Sequence, residues 1–256
     1  MRKNVLCTAI VLISAAVTVY AAHRIYQEHS EYREGVDSYS VLETYIKEPQ
    51  TEPIPEESKP EQDEMSENAI TWPVVDFVAL KIINSDCVAW IRIDGTEIDY
   101  PVVQGHDNSF YLKHLFGGEW NGAGCIFLDS HVEPDLSDRH SVLYGHHMKN
   151  GTMFSDIADY KDQTYYENHA TGMILTPTEN YRIEFFAGYV AGADDENAWK
   201  VTFATEDEYV DWLNETVGRS WFNSEVIPTA EDRVITLSTC SYEFNNDRFV
   251  LIGRLK

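Results

Sequence analysis

Positive charge is scarce in this chain: 19 lysines and arginines stand against 43 aspartates and glutamates, a formal net charge of −24. A balance so acidic argues against nucleic acid as a partner, because phosphate backbones are bound through basic patches. Cysteine is scarce too. Cys7, Cys87, Cys125 and Cys240 are far apart, with no CxxC pair and no histidine–cysteine cluster at zinc spacing. That excludes a small disulfide-stapled scaffold and gives no metal site. Cys87 and Cys125 sit in apolar context and read as buried free thiols. A bridge between them stays open at this point, since bridging is a matter of geometry. There is no glycine-rich phosphate loop and no internal repeat, so nucleotide-binding signatures are absent.

Charge disappears altogether from residues 4–22, about the length a helix needs to cross a bilayer core. Arg2 and Lys3 precede that stretch, which leaves a short N-terminus in the cytoplasm and the bulk of the chain outside. The expectation is an uncleaved, single-pass membrane anchor over residues 1–23. A cleaved signal peptide is the rival, with Val19-Tyr20-Ala21 as a passable cleavage site, but the apolar stretch is long for a signal sequence. Residues 24–68 read as a juxtamembrane segment, helical and interrupted near Gly35, followed by a linker. Within that linker, residues 48–67 carry eight acidic residues, one basic residue and four prolines. Such a stretch buries too little apolar surface to offset its ordering entropy and reads as an extended spacer. The folded domain is expected over residues 69–256.

Within that domain the pattern is mainly β. Thr71-Trp72-Pro73 reads as the start of a helix ending near Asn84. Strands are expected over residues 89–93 and 98–103 around an Asp94-Gly95 turn, with Pro101 marking an edge or a bulge. A short helix over residues 109–116, strands over 124–129 and 141–145 and a short helix over 153–160 follow. Residues 172–176 and 181–190 form a hairpin. Thr205 caps a helix running to Val217, with Glu208 completing a capping box and Tyr209, Trp212 and Leu213 on one face. The last strands cover residues 233–239 and 248–255. About eight short strands with a few helices predict a closed, mostly antiparallel barrel.

The chemistry gathers at three strand ends. Val234-Ile-Thr-Leu-Ser-Thr-Cys240 closes on a thiol, Arg248 opens the next β-rich run, and an earlier apolar run ends in Tyr144-Gly145-His146. Alone, a cysteine at a strand end is a buried thiol, an arginine opening a strand is a surface charge, and His146-His147 is a pair of loop histidines. Together they supply a soft nucleophile, a proton donor for a leaving amine and a positive donor for an oxyanion. Since neighbours on an extended segment face opposite ways, only one of His146 and His147 faces such a site.

These motifs resemble the sortases, class B in particular. Thr236-Leu-Ser-Thr-Cys240 with Arg248 is similar to the family's nucleophile motif, and Tyr144-Gly-His146-His-Met-Lys-Asn-Gly-Thr-Met-Phe154 to its histidine segment. Asn84-Ser-Asp-Cys-Val-Ala-Trp-Ile91 and Gly95-Thr-Glu-Ile-Asp-Tyr-Pro-Val-Val-Gln104 are similar to the strands that open the class B domain. The helix between the hairpin and the cysteine strand is a class B trait as well.

The resemblance implies an eight-stranded sortase barrel and a membrane-anchored cysteine transpeptidase with no metal and no organic cofactor. Such an enzyme cleaves the C-terminal sorting signal of a surface protein after threonine. It forms a thioacyl-enzyme and passes the acyl group to an amine of a peptidoglycan precursor. It further implies Cys240 as nucleophile, His146 as general acid and then base, and Arg248 as support for the carbonyl and oxyanion. Tyr144, Ser238 and Thr239 are then expected to line the pocket, and Asn108 and Leu112 to contact the sorting peptide. Rival readings are a pilin-polymerising sortase and a silent, membrane-tethered binding domain on the same scaffold. A papain-like hydrolase fits less well, because its cysteine precedes its histidine whereas here His146 precedes Cys240.

Overall fold

The computed structural model describes residues 2–48, 71–192, 194–240 and 247–256, with main chain alone for residues 2–10 and for Cys240. Of the acidic linker expected over residues 48–67, all but residue 48 lies outside the described residues. Eight strands close into a barrel. In chain order they are β3 (Cys87–Arg92), β4 (Asp99–Val103), β5 (Ile126–Leu128), β6 (His140–Gly145), β7 (Thr171–Leu175), β8 (Asn180–Ala191), β9 (Arg233–Cys240) and β10 (Arg248–Leu255). A two-residue ladder of β1 (Ile46–Lys47) and β2 (Val74–Val75) lies outside the barrel.

Around the barrel the order is β10, β8, β7, β3, β4, β5, β6, β9. Most neighbours are antiparallel, as expected, but β4–β5 and β6–β9 are parallel. A parallel pair needs a crossover connection rather than a tight turn. The long β4–β5 connection and the excursion through α3 (Gln163–Asn168), β7, β8 and α4 (Glu206–Gly218) supply those crossovers. Gly95, at φ +81°, lets the β3–β4 hairpin close, with Ile93 N–H donating to Ile98 O at 2.9 Å. Pro101 faces Trp90 across that hairpin and lies just before β4 begins to pair with β5 at Val102, so its missing N–H breaks no ladder on that side.

Two apolar layers hold the barrel. Inside, Trp90, Leu143, Ile183, Phe185, Leu237, Phe249 and Leu251 are almost wholly buried. Outside, α4 (Glu206–Gly218) lays Tyr209, Trp212 and Leu213 over Phe186, Val234, Val250 and Ile252. Each such side chain contributes roughly 1.5–3 kcal/mol on burial. The central residues of β8 are buried on both faces because α4 covers the outer one. Thr205 caps α4, accepting from Glu208 N–H at 3.1 Å, while the Glu208 carboxylate accepts from Ala204 N–H.

Three of the helical expectations need correction. The helix after Thr71 is α2 (Phe77–Ile83), capped by Asp76, whose carboxylate accepts from Ala79 N–H at 2.9 Å. Residues 74–75 pair as strand instead, so Thr71 is not its cap. The helix expected over 109–116 shrinks to one 3-10 turn, Phe110–Leu112. At the N-terminus α1 (Arg2–Leu42) runs through Gly35 without interruption. Gly35 is instead a contact point: a Cβ there would stand 3.4 Å from Ala123 Cβ.

Beyond Gly35, Tyr39 and Leu42 are buried in the core, so a helix ahead of residue 69 packs on the barrel. Among the described residues no helix is long and apolar enough to cross a membrane. The expected span over residues 1–23 therefore has no support there.

Candidate active site

Strand register brings three distant segments to one end of the barrel. In the parallel β6–β9 pair, Tyr144 lies opposite Ser238 and Gly145 opposite Thr239. In the antiparallel β9–β10 pair, Cys240 lies opposite Arg248. His146 is the first residue past β6, so it emerges beside the strand end that carries Cys240. A cavity of about 250 Å³ opens here, lined by Asn108, Leu112, Phe127, Tyr144, Gly145, His146, Ser238 and Arg248.

Close packing sets the position of His146. Gly145 has no room for a side chain: a Cβ would meet Ile126 Cδ1 at 2.5 Å and Phe154 Cδ2 at 2.7 Å. The strand therefore passes tightly over both before releasing His146. The histidine main chain is then pinned by Phe154 N–H, which donates to His146 O at 2.9 Å. Its ring Nε2 lies 2.7 Å from Leu112 O. That carbonyl belongs to the 3-10 turn, which Asp107 holds by accepting from Ser109 N–H and Phe110 N–H. Gly124, at φ +59°, lets the chain enter β5 against this turn, since a Cβ would stand 2.5 Å from Tyr111 O.

Asp129 organises the opposite wall. It is buried, yet all of its acceptor capacity is used. Oδ2 accepts from Asn108 Nδ2 and from the Tyr144 hydroxyl, each at 2.8 Å. Oδ1 accepts from His131 N–H at 2.9 Å and lies 2.8 Å from His131 Nδ1. Burial alone would raise the Asp129 carboxyl, but these donors outweigh it and hold the group below its usual range. Burial first, and then the neighbouring Asp129 charge, push the Tyr144 phenol far above its usual value, while Arg248 partly opposes the rise. Tyr144 therefore keeps its proton.

Seven of the eight expected site residues thus converge: Asn108, Leu112, Tyr144, His146, Ser238 and Arg248 line the cavity, and Cys240 ends the strand beside them. Thr239 does not join them. It is buried, it is absent from the cavity wall, and its hydroxyl has no hydrogen-bond partner among the described residues. Ser238 is held by Trp199, whose Nε1–H donates to Ser238 Oγ at 2.9 Å. His147 does not line the cavity, and its main chain pairs with Met153. Cys87 and Cys125 are buried free thiols, each pushed up to about 12 by burial.

Sequence reasoning missed Phe127 and Asp129. The available signal was an aspartate closing the apolar run 125–128, a buried charge that must be matched by donors.

Known proteins are similar to this chain in sequence and in fold. A Sortase domain family model matches residues 91–256. Sortase B of Staphylococcus aureus is 32% identical over 219 residues, covering 85% of this chain and 89% of the relative. Sortase B of Listeria monocytogenes is 36% identical over 178 residues, covering 69% of this chain and 72% of the relative. Among solved structures, the Staphylococcus aureus sortase B–substrate complex superposes with a TM-score of 0.67 at 35% identity, over 70% of this chain and 84% of that one. With the barrel and these relatives in agreement, the chain belongs to the sortase family, as one of its class B cysteine transpeptidases.

Proposed function

We propose that the cavity receives a C-terminal sorting signal, that Cys240 attacks the carbonyl of its threonine and expels the amine of the next residue, and that the acyl group passes to a cell-wall amine. One observation carries this reading: His146, Arg248 and the main chain of Cys240 meet at one end of the barrel around a single cavity. Cys240 attacks as thiolate. His146 protonates the leaving amine and afterwards deprotonates the incoming one. Arg248, opposite Cys240 in the ladder, stabilises the developing oxyanion. Leu112, Asn108, Tyr144 and Ser238 hold the peptide, with Asn108 and Tyr144 side by side on Asp129. Thr239 supports β9 from the buried side.

The acceptor is an amine of the peptidoglycan precursor, and the donors are surface proteins with a C-terminal sorting motif. The enzyme works on the outer face of the membrane, held by residues 1–23 as a single span. This anchor rests on the uncharged stretch 4–22 behind Arg2 and Lys3.

The test uses the full chain with quenched-fluorescent peptides of NPQTN, LPxTG and PPxTG type. Cleavage after threonine that disappears in Cys240→Ala supports the reading and names the motif. A Cys240→Ala variant that still cleaves overturns it. A folded wild-type chain that cleaves no peptide, and whose Cys240 resists a small thiol reagent, points to a silent scaffold instead.

A further inference from the structure

Asp129 lies behind the cavity wall rather than on it, and nothing in the reaction itself uses it. Its carboxylate decides which hydrogen-bonding groups the wall can present. Tyr144 and Asn108 both donate to the same oxygen, Oδ2. Asn108 is fixed a second time, because Ser130 N–H donates to its Oδ1 at 2.8 Å. That contact settles the amide orientation: oxygen toward Ser130, nitrogen toward Asp129. The loop carrying this arrangement is itself tied down, with Gln104 Nε2 donating to Asp129 O at 2.9 Å and to Val132 O at 2.7 Å.

A phenol has one proton. With that proton committed to Asp129, Tyr144 Oη has only lone pairs left for the cavity. The second Nδ2 hydrogen of Asn108 remains a donor. The two side chains are therefore polarised in opposite senses by one buried anion.

We infer that Asp129 is a positioning and specificity-determining residue, which makes Tyr144 a hydrogen-bond acceptor and Asn108 a donor toward the sorting peptide. This rests on the proposal that the cavity holds that peptide. The peptide must then bring an N–H to Tyr144, from its main chain or a carboxamide side chain. A carboxylate at that place is excluded twice: it has no proton to give, and it meets the charge of Asp129 one hydrogen bond away. Binding sites built around a specific hydrogen-bonding group reject analogues that lack it by large factors.

The test measures kcat and KM of the full chain with a sorting peptide that acylates Cys240. Asp129→Asn is nearly isosteric but turns one acceptor oxygen into a donor. It is expected to lower kcat/KM about thirty-fold, mostly through KM, as for the loss of charge-assisted hydrogen bonds. Alkylation of Cys240 by a small reagent should stay unchanged. Combined with Tyr144→Phe, its loss should be at least ten-fold smaller than the product of the two single losses, because Asp129 acts through Tyr144.

Should Asp129→Asn fail to fold, the peptide carries the test. Each peptide N–H is methylated in turn, and each carboxamide is replaced by a carboxylate. One position should lose at least ten-fold with the wild type, and that loss should vanish with Tyr144→Phe. Independent multiplication of the two variant losses overturns the inference, and so does a Tyr144→Phe enzyme that discriminates like wild type. A wild-type chain that forms no Cys240 adduct with any peptide is a failure of the proposed function instead.

Discussion

His140 opens β6 and is wholly buried between β9 and α4. Its Nδ1 lies 2.8 Å from Lys200 O, its Nε2 lies 2.7 Å from Thr236 Oγ1, and the ring tilts against Trp212 at 4.5 Å. A carbonyl only accepts, so Nδ1 carries the proton and Nε2 accepts from the threonine hydroxyl. A second proton would need Thr236 to turn its hydroxyl round inside a fully buried layer. Burial accordingly lowers the imidazole from 6.5 to about 4.

The unfolded chain binds a proton near 6.5 and the folded chain only near 4, so His140 contributes stability in full above the unfolded value. That contribution is lost as pH falls toward the folded value. A shift of this size corresponds to about 3 kcal/mol in total, of which about 2 kcal/mol is gone at pH 5. The window lies above that of Asp129 and Asp232, whose depressed carboxyls lose their contributions only as pH drops through the ordinary carboxylate range.

Urea unfolding of the full chain at pH 8 and pH 5 reads the difference directly. His140→Asn or His140→Gln, which do not titrate, should be less stable at pH 8 and should flatten the slope between these pH values. A variant retaining the full wild-type slope would refute the argument.

Three further outcomes follow from the same geometry. Gly145→Ala pushes a methyl into Ile126 and Phe154. Overpacking of this kind costs about 1–3 kcal/mol, so denaturation should show that loss, together with a lower kcat as His146 moves. His147→Ala should keep most of the turnover that His146→Ala loses, because only His146 lines the cavity; equal losses in peptide cleavage would count against the assignment. Tyr39→Phe removes a hydroxyl that donates to Gly124 O and contacts Cys125 Sγ at 3.2 Å. It should cost about 1 kcal/mol, seen as a lower urea midpoint, whereas an unchanged midpoint would mean that α1 adds nothing at this contact.

Features set by neighbouring residues were legible in the sequence. The Asp94-Gly95 hairpin, the Thr205 cap and the apolar face of α4 each depend on contacts within a few positions. The three strand ends were legible for another reason, since a thiol, an imidazole and a guanidinium each closing or opening an apolar run is rare by composition. What escaped depends on distant partners. The parallel pairings β4–β5 and β6–β9 join segments whose local pattern is the same in either direction. Tyr39 and Leu42 look like scattered apolar residues in a polar helix until the barrel is present to bury them. Asp76 displaced Thr71 as the cap because residues 74–75 found a strand partner in 46–47. Thr239 is absent from the cavity wall that Ser238 lines because successive residues of a strand point to opposite faces.

The central claim is that Cys240 is the nucleophile of an acyl transfer at this barrel end. Intact-protein mass spectrometry of the full chain, mixed with a sorting peptide and quenched in acid, tests it most directly. The account predicts a mass gain equal to the peptide acyl fragment ending in threonine, mapped to Cys240, absent in Cys240→Ala and discharged by an added amine. A folded chain that cleaves the peptide without a Cys240 adduct, or that carries the adduct on another residue, would contradict it.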